Sequence, residues 1–405
     1  MQQAGGIDSH YAWTRLAASV ALSVAGGVGM WSLVVMLPIV QKDLGVSRAD
    51  ISFAYTMNML GFCAGGVLMG RMVDAKGIVP TAILSAVLMA AGFVATALAP
   101  SLGFYAAGQV LLGFGCAATF APLVADISHW LEKRRGVAVA IAASGNYLAG
   151  TIWPPLIELA IRHYGWRDTC LVTATLALIA MVPLALCLRR PPPFHAEAGG
   201  GAAAPVPMRS VGMSPNALQG LLAVAGITCC VAMSMPQVHI VAYCTDLGYG
   251  VAPGAAMLSL MFGFGIVSRV SSGWIADRVG GVVTMLLGSV LQTVALVFYT
   301  VSDSLTSLYI VSALFGLFQG GLVPSYAIIV REYFPPKEAG MRVGIAMSAT
   351  IVGMALGGWM GGVLFDLTGS YRAAFLNGIA WNVANVAIGW WLLARQGKRT
   401  AAAAA

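Results

Sequence analysis

GRMVDAKG, residues 70–77, returns 203 residues later as GWIADRVG, residues 273–280. Around that pair the chain repeats itself at a nearly constant offset. WLEKRRG (130–136) matches FPPKEAG (334–340) at 204, Pro122 matches Pro324 at 202, and Trp166-Arg167 matches Tyr371-Arg372 at 205. Four correspondences at one offset are hard to produce by chance, so the chain is read as two copies of one unit. Between them lies RRPPPFHAEAGGGAAAPVPMRSVGMSPN (189–216). Pro, Gly and Ala dominate it and no apolar helical pattern survives, as in a flexible linker. The expected organisation is an N-terminal bundle over 1–188, the linker over 189–216 and a C-terminal bundle over 217–405.

Both copies are built for lipid. Of the 405 residues 59% are hydrophobic and only 9% charged, whereas soluble domains carry about 25% charged residues. The apolar runs have membrane-helix length, about 20 residues, rather than the alternating strands of a barrel. Twelve are expected, at 15–40, 51–70, 79–99, 104–127, 137–160, 168–188, 218–243, 254–275, 281–301, 305–330, 341–364 and 372–394. The fold class is therefore an all-α membrane protein, twelve transmembrane helices in two pseudo-symmetric six-helix bundles. Parallel repeats of this kind are a transporter architecture, with a substrate site near the membrane midplane.

Lys and Arg set the orientation. With both termini cytoplasmic, the tails and the even-numbered loops hold sixteen of the 22 basic residues, and Lys42, Arg48, Arg162, Arg167 and Arg372 fall opposite. Topology thus accounts for the formal charge of +7, and no nucleic-acid partner is implied. The first apolar run is too long for a signal-peptide core, so helix 1 is expected to be retained. The seven cysteines show neither metal spacing nor a secreted disulfide pattern and read as small packing residues. No phosphate loop, metal motif or Ser–His–Asp arrangement is visible. The chain is not read as an enzyme, no cofactor or metal is expected, and the energy for transport must come from a gradient.

The remaining basic residue, Arg269, sits deep inside the apolar stretch MLSLMFGFGIVSRVSSGWIADRVG (257–280). A mid-membrane charge costs about 2.5–3.5 kcal/mol on insertion scales, and Arg cannot shed its proton to escape. Its natural partner is an anion, held by the planar guanidinium fork. The competing structural reading is an Arg bonded to a helix carbonyl or snorkelling to the surface. Asp277 lies eight residues on, about 12 Å along a helix, which is far for snorkelling.

GRMVDAKG and GWIADRVG resemble the loop motif of the major facilitator superfamily, and the resemblance covers nearly the whole chain. In that motif Gly70 and Gly273 are expected to allow close helix contact, Asp74 and Asp277 to accept gating bonds, and Lys76 and Arg278 to anchor the cytoplasmic face. A narrower resemblance is carried by KRRGVAVAIAASGNYLAGTIWPPL (133–156), LGVSRADIS (44–52) and Arg269. These are similar to monocarboxylate transporters and oxalate:formate antiporters, where a helix 8 arginine holds the substrate carboxylate. The chain departs from those families in three ways, and from the superfamily's proton-driven antiporters in a fourth. Residue 265 is Gly where the animal transporters have an Asp, helix 1 has no buried Lys, helix 11 has no Lys in its membrane part, and Gln109 stands where proton-driven antiporters carry Arg. A single positive charge suits a monoanion.

Other candidates are polar or aromatic residues on helices expected to line the cavity: Trp31, Tyr55, Asn58, Asn146, Tyr147, Gln319 and Tyr326. Amides and phenols can hold a second substrate oxygen without added charge, and each can equally serve as interhelical glue or as an interface aromatic. His239, in MPQVHIVAYCTDLG (235–248), is the coupling candidate because His titrates near neutral pH. A structural or gating role for it stays open. Asp126 is expected in a cytoplasmic salt bridge or cap, with the basic cluster Lys133, Arg134 and Arg135 close by in sequence, and Glu158 beside Arg162.

The expected function is a secondary transporter for a small carboxylate, a monocarboxylate first, in the cytoplasmic membrane, with Arg269 as its anion site. A proton or a counter-anion is the expected coupling partner, lipid surrounds the chain, and it acts as a monomer. The alternatives are a porter for another small anion, a drug efflux antiporter, and a non-transporting membrane sensor.

Overall fold

The structure, a computed structural model, describes residues 6–131, 133–190 and 211–404. Most of the expected linker, 191–210, lies outside the described residues. Among those described every element is a helix: α1 (His10–Gly26), α2 (Val28–Leu44), α3 (Arg48–Lys76), α4 (Ile78–Ala97), α5 (Leu102–Ala117), α6 (Ala121–Ile127), α7 (Arg135–Cys187), α8 (Pro215–Asp246), α9 (Val251–Val279), α10 (Gly281–Val301), α11 (Leu305–Gln319), α12 (Leu322–Tyr333), α13 (Pro336–Thr368) and α14 (Tyr371–Ala404). Ten helical stretches are long and apolar enough to cross a membrane. Helices satisfy their backbone internally, as hydrocarbon requires. Side chains cap some of their starts. Ser47 and Asp50 form a capping box at the start of α3, and Ser304 accepts the Ser307 N–H at the start of α11.

Three expected runs are not single helices. The run 15–40 parts at Gly27 into α1 and α2, 104–127 parts at 118–120 into α5 and α6, and 305–330 parts at Gly320 and Gly321 into α11 and α12. In the last two the cause is proline. Pro122 and Pro324 have no N–H to give the carbonyl four residues back, which belongs to Ala118 in one case and Gly320 in the other. By contrast, α7 runs 53 residues through two expected helices, but Gly165 at φ 77° and ψ 167° makes it two helices joined at a kink.

The chain forms two compact units. The first contains α1–α7 together with Val238–Gly263, and the second the earlier part of α8 and the chain from Phe264 onward. In the first, α5 lies against α3 and α4, and α7 against α1 and α4; in the second, α10 lies against α11, α12 and α14, and α13 against α12 and α14. The two unit boundaries inside helices fall at weak points, beside Pro236 in α8 and between Gly263 and Gly265 in α9. Arg48, at the start of α3, pairs with Asp246, at the end of α8, at 3.2 Å within the first unit.

The sequence repeat is a structural repeat. Gly77 and Gly280 hold matching conformations, φ 85°, ψ 173° and φ 86°, ψ 167°, open only to glycine at low cost. Thr81 bonds the Gly77 carbonyl and Thr284 the Gly280 carbonyl, each at 2.9 Å. Gln109 bonds Thr96 at 3.4 Å, and their counterparts Ser312 and Tyr299 bond at 2.8 Å. Arg167 reaches Asp43 and the carbonyls of Ala97 and Ala99, while Arg372 reaches Asp303.

The motif glycines correct the sequence reading. A methyl group added at Gly70 or Gly273 would meet nothing within 4 Å. Close approach is made elsewhere: in α3 by Gly61 and Gly65 against the backbone of α5, and in the second unit by Gly320 against the Gly265 carbonyl of α9. Small residues admit backbone contact only on the face that points at a neighbouring helix, and the motif glycines are off that face.

Arg269 is not the only charge taken into the interior. Arg15 in α1 is 1% exposed, and its guanidinium meets Asp126 through Nε–Oδ2 at 2.7 Å and Nη2–Oδ1 at 2.8 Å. Nη1 donates to the carbonyls of Leu188 and Arg190, both at 3.0 Å, and the Trp130 ring lies 4.6 Å away. Asp126 thus pairs with Arg15. Leu16, Ile127, Trp130, Leu131, Ala138 and Ala142 pack round the pair. Asp126→Asn leaves the Arg15 charge buried and uncompensated, so a loss of about 3–5 kcal/mol is expected in detergent unfolding. Arg15→Met with Asp126→Leu should recover most of it; equal instability of the single and double variants would count against this account.

Candidate functional site

Arg269 lies on α9 and is half-buried. Its Nε donates to the carbonyl of Gly320 at a long 3.4 Å. That carbonyl is the one Pro324 leaves without its usual helical donor. The approach depends on small residues. Any side chain at Gly320 would collide with the Gly265 carbonyl and come within 2.8 Å of Ser268 Cβ. The break between α11 and α12 is thereby pressed onto α9, and the guanidinium is seated at it. A guanidinium held through Nε at a helix break can present a charged fork to a carboxylate. A separate cavity of about 240 Å³ opens among α9, α10, α11 and α12, lined by Ser268, Ser271, Ser272 and Thr284 with Leu287 and Phe318. Arg269 does not line it.

Gln319 ends α11, one residue before Gly320, and is fully buried. Its Oε1 accepts from Gln237 Nε2, on α8, at 3.1 Å. Its own Nε2 has no hydrogen-bond partner among the described residues. The second unit thus gathers Arg269, Gln319 and Gln237 about one helix break.

The first unit gathers three more candidates. Trp31 Nε1 donates to Asn146 Oδ1 at 3.4 Å. The Trp31 and Tyr147 rings lie 4.1 Å and 5.4 Å from that of Phe262, which Gly150 admits by having no side chain. Beside them Ser259 donates to the Thr151 carbonyl. The group is an aromatic cluster with one amide, able to flank an apolar substrate part and a single polar atom.

The other candidates go elsewhere. Asn58 donates to the Gly29 carbonyl and to Gln109 Oε1, both at 3.1 Å, as glue among α2, α3 and α5. Tyr55 is fully buried on α3. The Tyr326 hydroxyl is bonded to the Ala225 carbonyl and Asn385 Oδ1, both at 3.0 Å, and Asn385 bonds Ser289 at 2.6 Å. That places Tyr326 in the packed core of the second unit. His239 is fully buried in α8. Asp74 and Asp277 are exposed and form no ion pair or hydrogen bond with the described residues. Lys76 is exposed, and Arg278 lies over the Trp274 ring at 3.4 Å. Glu158 pairs with Arg162 at 2.8 Å, as expected. The seven cysteines are free, and Cys187 is exposed rather than packed.

Sequence reasoning passed over Phe262, Gln237 and the Arg48–Asp246 pair. Phe262 had a signal: it lies in the same apolar stretch, MLSLMFGFGIVSRV, as Arg269. Gln237 had a weaker one, a lone amide next to Pro236 in an apolar helix. The ion pair joins residues 198 apart, and nothing local announces it.

The Major Facilitator Superfamily family model matches residues 20–305 and 272–404. Monocarboxylate transporter 13 of Bos taurus is 30% identical over 300 residues, 73% of this chain and 69% of that protein. Human monocarboxylate transporter 11 is 27% identical over 396 residues, 93% of this chain and 81% of that one. Among solved structures, the nucleoside transporter NupG superposes with a TM-score of 0.72 at 13% identity, covering 94% of this chain and 99% of that chain; this likeness is one of fold. The repeated helical units, the two motif copies and these relatives agree: the chain is a multi-pass membrane transporter that belongs to the major facilitator superfamily and resembles its monocarboxylate transporters.

Proposed function

We propose that the protein carries small organic anions, monocarboxylates first, across the cytoplasmic membrane by alternating access, and that Arg269 binds the carboxylate. One observation supports this above the others: an arginine that cannot lose its charge sits inside an apolar helix, seated at a proline-made break. Relatives named for monocarboxylates point to the same ligand class. The ten long apolar stretches become twelve spans when α7 is divided at Gly165 and α14 is added, six on each side of the linker 189–216. The transporter works as a monomer, by proton symport or by exchange for a counter-anion, with His239 as the coupling candidate. Trp31, Asn146 and Tyr147 contact the substrate, whereas Asn58, Tyr55 and Tyr326 act through packing. Asp74 and Asp277 make contacts in one conformational state and lose them in the other, which suits their exposure here.

The orientation is tested with reporters. One fused after Ala405 and one inserted near Ala203 are both expected to read cytoplasmic; a signal from the far side at either would refute the arrangement.

Arg269→Ala tests the site. A carboxylate at a hundred times its Kd stabilises the wild type by roughly 2.7 kcal/mol, and the variant should show none of this in a thermal-shift assay. Arg269→Lys should fail nearly as badly, because a point charge on a flexible stem does not reproduce the fork. Removing a half-buried charge relieves desolvation, so the empty variant should lose no more than about 1 kcal/mol. Unfolding of the variant, or normal carboxylate binding by it, would sink the proposal.

A further inference from the structure

We infer that the second unit carries a site for a neutral alcohol drawn from the lipid phase, and that this site uses none of the residues assigned to the anion. Its place is the cavity of about 240 Å³ walled by α9, α10, α11 and α12. Two serines on α9 set it apart from a packing gap. A serine or threonine inside a helix can return its hydroxyl to a carbonyl one turn back in its own helix. Ser271 does so to Val267 and Thr284 to Gly280, each at 2.9 Å. Ser268 and Ser272 do not: neither hydroxyl has a hydrogen-bond partner among the described residues. Both serines line the cavity, and Ser268 is only 3% exposed. The Ser272 hydroxyl lies where a side chain on Gly321 would stand, so the bare glycine gives it room. A buried hydroxyl without a partner is costly, and two of them at one cavity point to a ligand that bonds both.

The walls select its chemistry. Residues four apart on a helix have Cβ atoms about 5–6 Å apart. One hydroxyl set between the two serines, at about 2.8 Å from each oxygen, spans that gap by accepting from one and donating to the other. Among the described residues no charged side chain lines the cavity, and Leu287, Leu291, Leu317 and Phe318 supply its apolar wall. An ion would lose its hydration there with no opposite charge to balance it. At about 30 Å³ per water, the cavity is several times larger than the one water that could bridge the serines. An alkyl chain bearing a single hydroxyl matches both the serines and the apolar wall. Its route in is lateral. Ser271 and Leu287 are exposed, and Leu287 begins the exposed apolar stripe of Val290, Val294 and Phe298 along α10. On a membrane-spanning helix such a stripe faces lipid. A side chain on Gly320 would come within 2.8 Å of Ser268 Cβ, so an occupant bears on the contact between α9 and the helix break.

The probe is an octanol carrying a photoreactive diazirine, applied to the full chain in nanodiscs, with adducts located by peptide mass spectrometry. Saturable labelling of residues 268–275 and 284–291 is expected, displaced by plain octanol and far less by octane or octanoate. Ser268→Ala combined with Ser272→Ala keeps the space and removes both hydroxyls. Labelling at a fixed, subsaturating probe concentration should then fall about tenfold, the scale of two hydrogen bonds. Leu287→Trp sets an indole at the mouth and should abolish labelling. Octane competing as well as octanol, or full labelling of the double serine variant, would reveal a purely apolar gap and overturn the inference. Labelling that never saturates and spreads over every lipid-facing helix, or none in these two segments, overturns it too. Should the double serine variant fail to fold, the competition series and Leu287→Trp still decide.

Discussion

A carbonyl oxygen without a donor is poorly tolerated inside a hydrocarbon layer, and this constraint organises the second unit. Pro324 withdraws the N–H that the Gly320 carbonyl would otherwise use. The helix opens there, α11 gives way to α12, and Arg269 Nε comes to the exposed oxygen. Gly320 lacks a side chain where it meets the Gly265 carbonyl, so the two helices can come that close. Proline, glycine and arginine therefore act as one device. Each would be a local fault by itself: a broken helix, a weak helix former and a buried charge. Together the carbonyl gains a donor, and the charge is positioned at the level where the helix ladder is interrupted.

The two repeats show what this device adds. Elements that hold a bundle together occur twice: the positive-φ glycines 77 and 280, the threonines 81 and 284, and the α4–α5 bond between Gln109 and Thr96 with its counterpart between Ser312 and Tyr299. The helix break also occurs twice, since Pro122 frees Ala118 as Pro324 frees Gly320. The arginine occurs once. At the 203-residue offset, the counterpart of Arg269 is Gly66, where an added methyl would meet nothing within 4 Å, and the counterpart of Gln319 is Cys116, which bonds the Gly26 carbonyl. Symmetry belongs to the scaffold, and the polar candidates lie where symmetry fails.

This explains which features could be read before the structure. The helices, the repeat and the superfamily follow from apolar run length and from motifs that recur at one offset, signals spread over many residues. Arg269 stood out because a charge in an apolar run is rare. Partner choice is a different matter, since it depends on which way each side chain faces, and period alone does not settle that. Asn58, Tyr326 and Gln319 look alike in sequence, as polar groups among apolar neighbours. Asn58 and Tyr326 are bonded into helix packing, while Gln319 Nε2 has no hydrogen-bond partner among the described residues. The motif glycines 70 and 273 were misread for the same reason, as their identity was right for close contact and their facing was not.

Arg15 and Arg269 show how burial alone misleads about function. Arg15 is the more buried of the two, yet its charge is matched by a bidentate carboxylate, two carbonyls and an indole face. Fully satisfied within the protein, it has no call on a ligand, and its role is to fasten α1 to α6 and to the end of α7. At Gly320, Arg269 meets a neutral carbonyl at long range. A carboxylate would bring an opposite charge and two parallel acceptors to the planar fork, which a single neutral carbonyl does not. Depth alone therefore does not separate a binding arginine from a structural one: Arg15 is committed to a carboxylate inside the first unit, whereas Arg269 sits half-buried at a helix break.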